Sequence, residues 1–239
     1  MRTDATHNVE LRLIRIPDAL TSEQVCWLRG ELPEADFNER RIPPNLHPRV
    51  LTERLLGRYY QRNLLAELTM TEPSAWCFHA NIHGKPYATH PNIDAAPHIN
   101  LSHTQGALLC GVSRDAPLGV DLESIHRRPD FKKLTSRCFT KREVALLEAS
   151  PCYHHGFYRA WTLKEAYLKA IGTGLRTPLQ SVEILPDPEN QLEIFRDGKR
   201  QNHWYVATEQ HDDFVMSWAA SDIKNIPPKT RLRQMTHSK

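Results

Sequence analysis

The clearest helical pattern in the chain runs from Phe157 to Ile171 and stops at Gly172-Thr173-Gly174, where a left-handed cap is wanted. Three short strand candidates follow it: Ser181 to Leu185, Trp204 to Thr208 and Phe214 to Ala219. Three more precede it: Ile99 to Ser102, Ala107 to Val112 around the turn Thr104-Gln105-Gly106, and Leu118 to Glu123. A helix set among strands this short requires a mixed α+β fold. Both halves run helix and then strands, and Gly111-Val112-Ser113 and Ala219-Ala220-Ser221 occupy comparable places. A duplicated unit dividing near residue 115 is therefore expected.

The remaining pattern fits the same class. Leu11 to Ile16 alternates as a half-buried strand does, and Ser22 to Glu31 reads as a helix opened by Thr21 or Ser22. From Pro48 to Leu68, Val50, Leu51, Leu55, Leu56, Tyr59, Leu64 and Leu65 fall near helical spacing with arginines on the other side, a basic amphipathic helix. Phe78 to Pro97, rich in proline, glycine, asparagine and histidine, reads as loop with at most a brief strand. Thr140 opens a helix through Leu147, with Glu143 completing a capping box. The segment from Asn225 is basic, has no apolar period, and is expected to be a weakly ordered tail.

Composition narrows the function classes. With 239 residues, 40% hydrophobic and 25% charged, the chain can bury a real core, and no apolar run is long enough to span a bilayer. The polar first ten residues lack the apolar centre of a secretory signal, so a cytoplasmic protein without a membrane partner is expected. Cys26, Cys77, Cys110, Cys138 and Cys152 have no paired spacing and read as reduced, mostly packed thiols. The net charge is only +3, and no nucleic-acid motif accompanies the arginines, so no nucleic acid is expected.

Three segments carry candidate chemistry. In Gly119-Val120-Asp121-Leu122-Glu123 the carboxylates leave one face of a strand about 7 Å apart and can reach one ion, although a solvated strand face looks the same. In Trp161-Thr162-Leu163-Lys164-Glu165-Ala166-Tyr167-Leu168-Lys169, four-residue steps put Trp161, Glu165 and Lys169 on one stripe. That stripe suits a metal and a phosphate, or an exposed helical ion pair. Asn100-Leu101-Ser102-His103 places a hydroxyl and an imidazole at a strand end, with Gly84-Lys85-Pro86 upstream. A Ser–His catalytic dyad is not expected there, because adjacent strand residues point to opposite faces.

In this order and with these gaps, the segments resemble the 4′-phosphopantetheinyl transferase superfamily, in its surfactin-type (Sfp-like) two-lobe branch. Gly-(Ile/Val)-Asp-(Ile/Leu)-Glu matches Gly119–Glu123, Trp-x-x-Lys-Glu-(Ala/Ser)-x-x-Lys-x-x-Gly matches Trp161–Gly172, and the shorter elements match Gly84–Pro86 and Asn100–His103. The resemblance implies two similar α/β lobes in a pseudo-twofold arrangement, each a small, mostly antiparallel sheet packed with helices. The lobes would be residues 1–115, with nucleotide contacts, and 116–224, with the metal and catalytic motifs, before a basic tail at 225–239.

It also implies roles. Asp121, Glu123 and Glu165 would hold Mg2+, with Mn2+ possible. Lys169 and nearby Lys164 would neutralise phosphate oxygens. Ser102 and His103 would hold the 3′-phosphate of coenzyme A, Lys85 would line the nucleotide site, and Arg54 would add a phosphate contact. Glu165, Lys169 and Asp121 are thus the expected catalytic residues. The phosphopantetheine arm would pass to a serine of an acyl or peptidyl carrier protein, whose acidic surface the basic stretches 49–62 and 127–133 would attract. The two-lobe branch implies a monomer. The rivals are a coenzyme A or nucleotide pyrophosphate hydrolase using the same metal, and a coenzyme A-binding module without turnover.

Overall fold

A computed structural model describes residues 9–38, 41–173 and 177–221. The chain begins β1 (Val9–Arg15), α1 (Ser22–Glu31), α2 (Pro48–Thr69), β2 (Cys77–Ala80), β3 (Pro86–Thr89), β4 (His98–Thr104) and β5 (Ala107–Ser113). It continues β6 (Leu118–Ser124), α3 (Phe131–Cys138), α4 (Lys141–Ala149), α5 (Tyr153–Ile171), β7 (Val182–Pro186), β8 (Leu192–Arg196), β9 (Lys199–Arg200), β10 (Trp204–His211) and β11 (Phe214–Ser221).

Two antiparallel three-stranded sheets organise these elements. In the first, β5 lies between β1 and β4, with Leu13 opposite Leu109. In the second, β11 lies between β6 and β10, with Trp218 opposite Val120. The order is the same in both: the last strand of each stretch inserts between its first and its next to last. The fold is α+β, built from two similar sheet-and-helix units.

Alternation along the strands decides where the core sits. Leu11, Leu13 and Leu109 of the first sheet meet Leu118, Val120, Leu122, Met216 and Trp218 of the second in one buried layer. The outer face of the first sheet is covered by α2 through Leu55, Leu56, Leu64 and Leu65. That of the second is covered by α5 through Ala166 and Leu168.

Gly119 makes the second contact unusually close. A Cβ there would lie 2.1 Å from the Ala166 carbonyl oxygen and 2.3 Å from the Ala170 nitrogen, so only glycine lets the α5 backbone rest on β6. Gly172, with φ at 76°, caps α5 as the sequence predicts, although the helix starts earlier, at Tyr153. The expected capping box forms at Thr140–Glu143, and Thr21, one of the two expected openers of α1, forms another with Gln24.

Several expectations need correction. The stretch read as loop contains the hairpin of β2 and β3, turned at Gly84 with φ at 85°. The short helix α3 and the hairpin of β8 and β9 were not anticipated. The arginines of α2 do not form a solvated face: Arg62 is 2% exposed, and Glu53 and Gln61 are buried with it. Of the five cysteines, which are free, Cys26, Cys77 and Cys152 are exposed and only Cys110 and Cys138 are packed. Among the described residues no helix is long and apolar enough to cross a membrane. The expected tail from residue 225 lies outside the described residues.

Candidate active site

Strand β6 presents Asp121 and Glu123 on one face, and the close seat of α5 brings Glu165 and Lys169 beside them. Asp121 is 6% exposed; its Oδ1 accepts hydrogen bonds from Ser102 Oγ at 2.9 Å and from Lys169 Nζ at 2.6 Å. Lys169 Nζ also donates to Ser102 Oγ and to the Val120 carbonyl. Asp121 Oδ2 and Glu165 Oε1 are buried without a hydrogen-bond partner among the described residues. Such orphaned oxygens cost about 1–3 kcal/mol each unless something satisfies them.

The electrostatics agree. Burial, reinforced by the charges of Asp121 and Glu123 and opposed by Lys169, pushes the Glu165 carboxyl up to about 7. Burial also raises Glu123, whose two oxygens accept from Arg127 Nη1 at 3.0 and 2.9 Å, which pulls the other way. Among the described residues no three ligating groups already enclose one point. Lys169 holds Asp121 and Arg127 holds Glu123. The donor set is nevertheless all oxygen, and two of its oxygens lack partners, which fits a hard divalent cation such as Mg2+ or Mn2+.

The other predicted residues are not all brought here. Lys164 is fully buried and points away: Nζ donates to Glu143 Oε2 at 2.6 Å and to the Cys138 carbonyl at 2.8 Å, beside the Phe139 ring. Glu143 also accepts from the backbone nitrogens of Thr140 and Ile184. Lys164 therefore ties α5 to α4 and β7 and is not open to a phosphate. Ser102 and His103 leave opposite faces of β4. Ser102 joins Asp121, whereas the exposed His103 has Nδ1 3.4 Å from Glu53 Oε2 on α2. They do not jointly grip one phosphate as expected.

Lys85 reaches across from the β2–β3 turn, where Nζ donates to the Ala170 carbonyl at 2.5 Å. Burial pushes it down to about 8. It lines a cleft of about 490 Å³ with Asp94, His98 and Ala170.

On the other side of β3 lies a cleft of about 610 Å³, lined by Arg41, Arg54, Arg58, Phe78, Gly84 and Tyr87. Arg54 lines this cleft, and its Nη1 donates to the Arg41 carbonyl at 2.7 Å. Arg58 lies over the Phe78 ring, 3.9 Å from its centroid. Tyr87 stacks on His79, with ring centroids 5.2 Å apart. The sequence reading noted the density of arginines but not the roles of Arg41 and Arg58. The helical step from Arg54 to Arg58 was the available signal. A larger groove of about 850 Å³, between α3, α4 and α5, includes none of the carboxylates.

The site thus combines a carboxylate cluster with two unpartnered oxygens among the described residues and, elsewhere, a cleft lined with arginine. Comparison with known proteins gives the chain its family. The sequence pattern of the 4′-phosphopantetheinyl transferase superfamily matches residues 117–219. The chain is 36% identical over 140 residues to 4′-phosphopantetheinyl transferase HetI of Nostoc sp., covering 58% of this chain and 59% of that one. It is 30% identical over 195 residues to the 4′-phosphopantetheinyl transferase gsp of Aneurinibacillus migulanus, covering 81% of this chain and 78% of that one. With 4′-phosphopantetheinyl transferase Sfp of Bacillus subtilis the identity is 29% over 142 residues, covering 59% and 61%. The chain thus spans about three fifths of HetI and of Sfp and nearly four fifths of gsp. It belongs to the 4′-phosphopantetheinyl transferase superfamily.

Proposed function

We propose that this protein moves the 4′-phosphopantetheine arm of coenzyme A to a serine of an acyl or peptidyl carrier protein and releases 3′,5′-ADP, the reaction of a holo-acyl-carrier-protein synthase. The observation that carries the reading is the pair of orphaned carboxylate oxygens, on Asp121 and Glu165, beside Lys169. Asp121, Glu123 and Glu165 would hold a divalent cation, which when bound supplies charge neutralisation for a pyrophosphate.

The chain's own residues account for the rest. Lys169 is the ammonium placed to meet phosphate oxygens, and Ser102 fixes it and Asp121 by hydrogen bonds. The carrier serine oxygen attacks the β-phosphorus, the bond from that phosphorus to the oxygen of 3′,5′-ADP breaks, and the serine proton leaves to a base. Glu165, raised to about 7, has the affinity for that proton near neutral pH. Its two duties compete, because a carboxylate that holds a cation is a weaker base.

Arg41, Arg54 and Arg58 take the adenosine 3′-phosphate end, and Lys85 lines the neighbouring cleft. The shared strand order of the two sheets supports dividing the chain into lobes at 1–115 and 116–224.

The test is the intact mass of an apo carrier protein after incubation with this protein, coenzyme A and Mg2+. A gain of about 340 Da, one phosphopantetheine arm, is expected, and Asp121→Ala abolishes it. Coenzyme A consumed without a mass gain would instead establish hydrolysis.

A further inference from the structure

We propose that Asp36 is a positioning residue, setting the guanidinium groups of Arg41 and Arg58 in the cleft so that they select a 3′-phosphorylated nucleotide. This rests on the reading of coenzyme A as substrate.

Asp36 closes the short 3-10 turn Glu34–Asp36 and is fully buried. Its Oδ2 accepts from Arg62 Nε at 2.8 Å, with Arg62 Nη2 at 2.7 Å. Arg62 also donates to the carbonyls of Pro73 and Trp76, so it is fixed to the protein on every side and is a pillar rather than a ligand. Asp36 Oδ1 behaves differently. Among the described residues it accepts no hydrogen bond, yet Arg41 Nη1, which donates to the Ala35 carbonyl at 2.8 Å, and Arg58 Nε each lie 3.6 Å from it.

Asp36 therefore orients these two arginines by charge without engaging their donors in hydrogen bonds. Phe78 completes the frame, with its ring under Arg58 and its carbonyl accepting from Arg41 Nη2. Three guanidinium groups, those of Arg41, Arg58 and Arg62, gather round this one carboxylate, with Arg54 beside them in the cleft lining. Burial and the neighbouring arginines push Arg58 down to about 10, against the opposing pull of Asp36. Among the described residues the cleft lining carries three arginines and no acid, and a phosphate dianion supplies the missing negative charge through charge-assisted bonds.

The alternative is that Asp36 serves only as the counterion of Arg62. That role predicts lower stability with no effect on nucleotide preference, so the experiment compares nucleotides. Asp36→Asn is assayed for KM and kcat with coenzyme A and with dephospho-coenzyme A, alongside its melting temperature. The KM for coenzyme A is expected to rise about tenfold at unchanged kcat, while that for dephospho-coenzyme A changes less than about twofold. An equal rise for both nucleotides, or an unchanged KM for coenzyme A, overturns the proposal.

If Asp36→Asn fails to fold, Arg58→Lys keeps the charge but loses the planar fork aligned by Asp36 and Phe78, and the same selective rise is expected. An equal effect on both nucleotides there overturns it too. If the wild-type protein transfers nothing, the functional reading fails separately. Direct calorimetric binding of 3′,5′-ADP then decides for Asp36: about tenfold weaker binding by the variant supports the proposal, and equal binding overturns it.

Discussion

Asp121 and Asp36 are both buried carboxylates paired with cations, and their surroundings are out of balance in opposite directions. Around Asp121 stand two further carboxylates, Glu123 and Glu165, with Lys169 and the exposed Arg127 as the cations bound to them. Around Asp36 stand three arginines, and among the described residues no second acid pairs with them there. The first site is short of positive charge and the second of negative charge. On the proposed function, coenzyme A offers both missing parts, a central pyrophosphate that travels with a cation and a 3′-phosphate dianion on the ribose. A third buried pair, Lys164 with Glu143, is balanced one to one and has every partner inside the protein. Unbalanced clusters point to ligands, whereas the balanced one points to architecture.

That contrast can be broken in order of expected effect. Lys169→Met removes the ammonium bonded to Asp121, and transfer measured by carrier mass should slow by about 10²–10³-fold while the melting temperature moves little. A loss of folding in place of activity would make this site as architectural as the third. Lys164→Met should do the reverse. With side chains 1% and 3% exposed, breaking the pair leaves Glu143 buried and uncompensated and should cost about 3–5 kcal/mol in denaturant unfolding. The protein that remains folded should keep its KM for coenzyme A. A raised KM would return Lys164 to the phosphate site.

The smallest effect concerns Lys85, whose ammonium is pushed down to about 8 by burial. Its charge is present below that pH and lost above it, so affinity for coenzyme A should weaken by roughly tenfold or less between pH 7 and 9. Stability should move the other way. The folded protein binds this proton less well than the unfolded chain, so the penalty for burying the charge is present at low pH and fades as pH rises past 8 toward 10.5. Lys85→Arg should flatten the titration of affinity with pH.

What the sequence revealed and what it hid divide along the range of the interactions. Helix α5, its glycine cap, the strand with Asp121 and Glu123, and the capping box at Thr140–Glu143 depend on neighbours within a few positions, and all were legible. The hairpin of β8 and β9 also carried a local sign that went unread, Asp197-Gly198, with φ at 50° and 73°. The role of Lys164 was not legible in the same way. Periodicity places it on a face of α5 but does not show that Glu143 waits there. The resemblance assigned Ser102 to a phosphate, and its bond to Asp121 was hidden because that partner lies on another strand. The inward turn of Arg58 and Arg62 was not legible on α2, because Asp36, which draws them, lies outside any helical period. Three-dimensional partners settle such cases, and they leave no pattern in a window of neighbouring residues.

The repeated strand order also bears on how the chain comes together. β1 must wait for β5 before its edge is paired, and β6 must wait for β11, so each sheet closes over a long stretch of chain and folds slowly on that account. The first sheet can form as soon as residues 9–113 exist, but its inner face, with Leu11, Leu13 and Leu109, then has nothing to cover it. During synthesis this half emerges with an apolar wall facing water until β6 and β11 arrive. A truncation near residue 115 would thus yield a protein prone to aggregate rather than an isolated nucleotide-binding lobe.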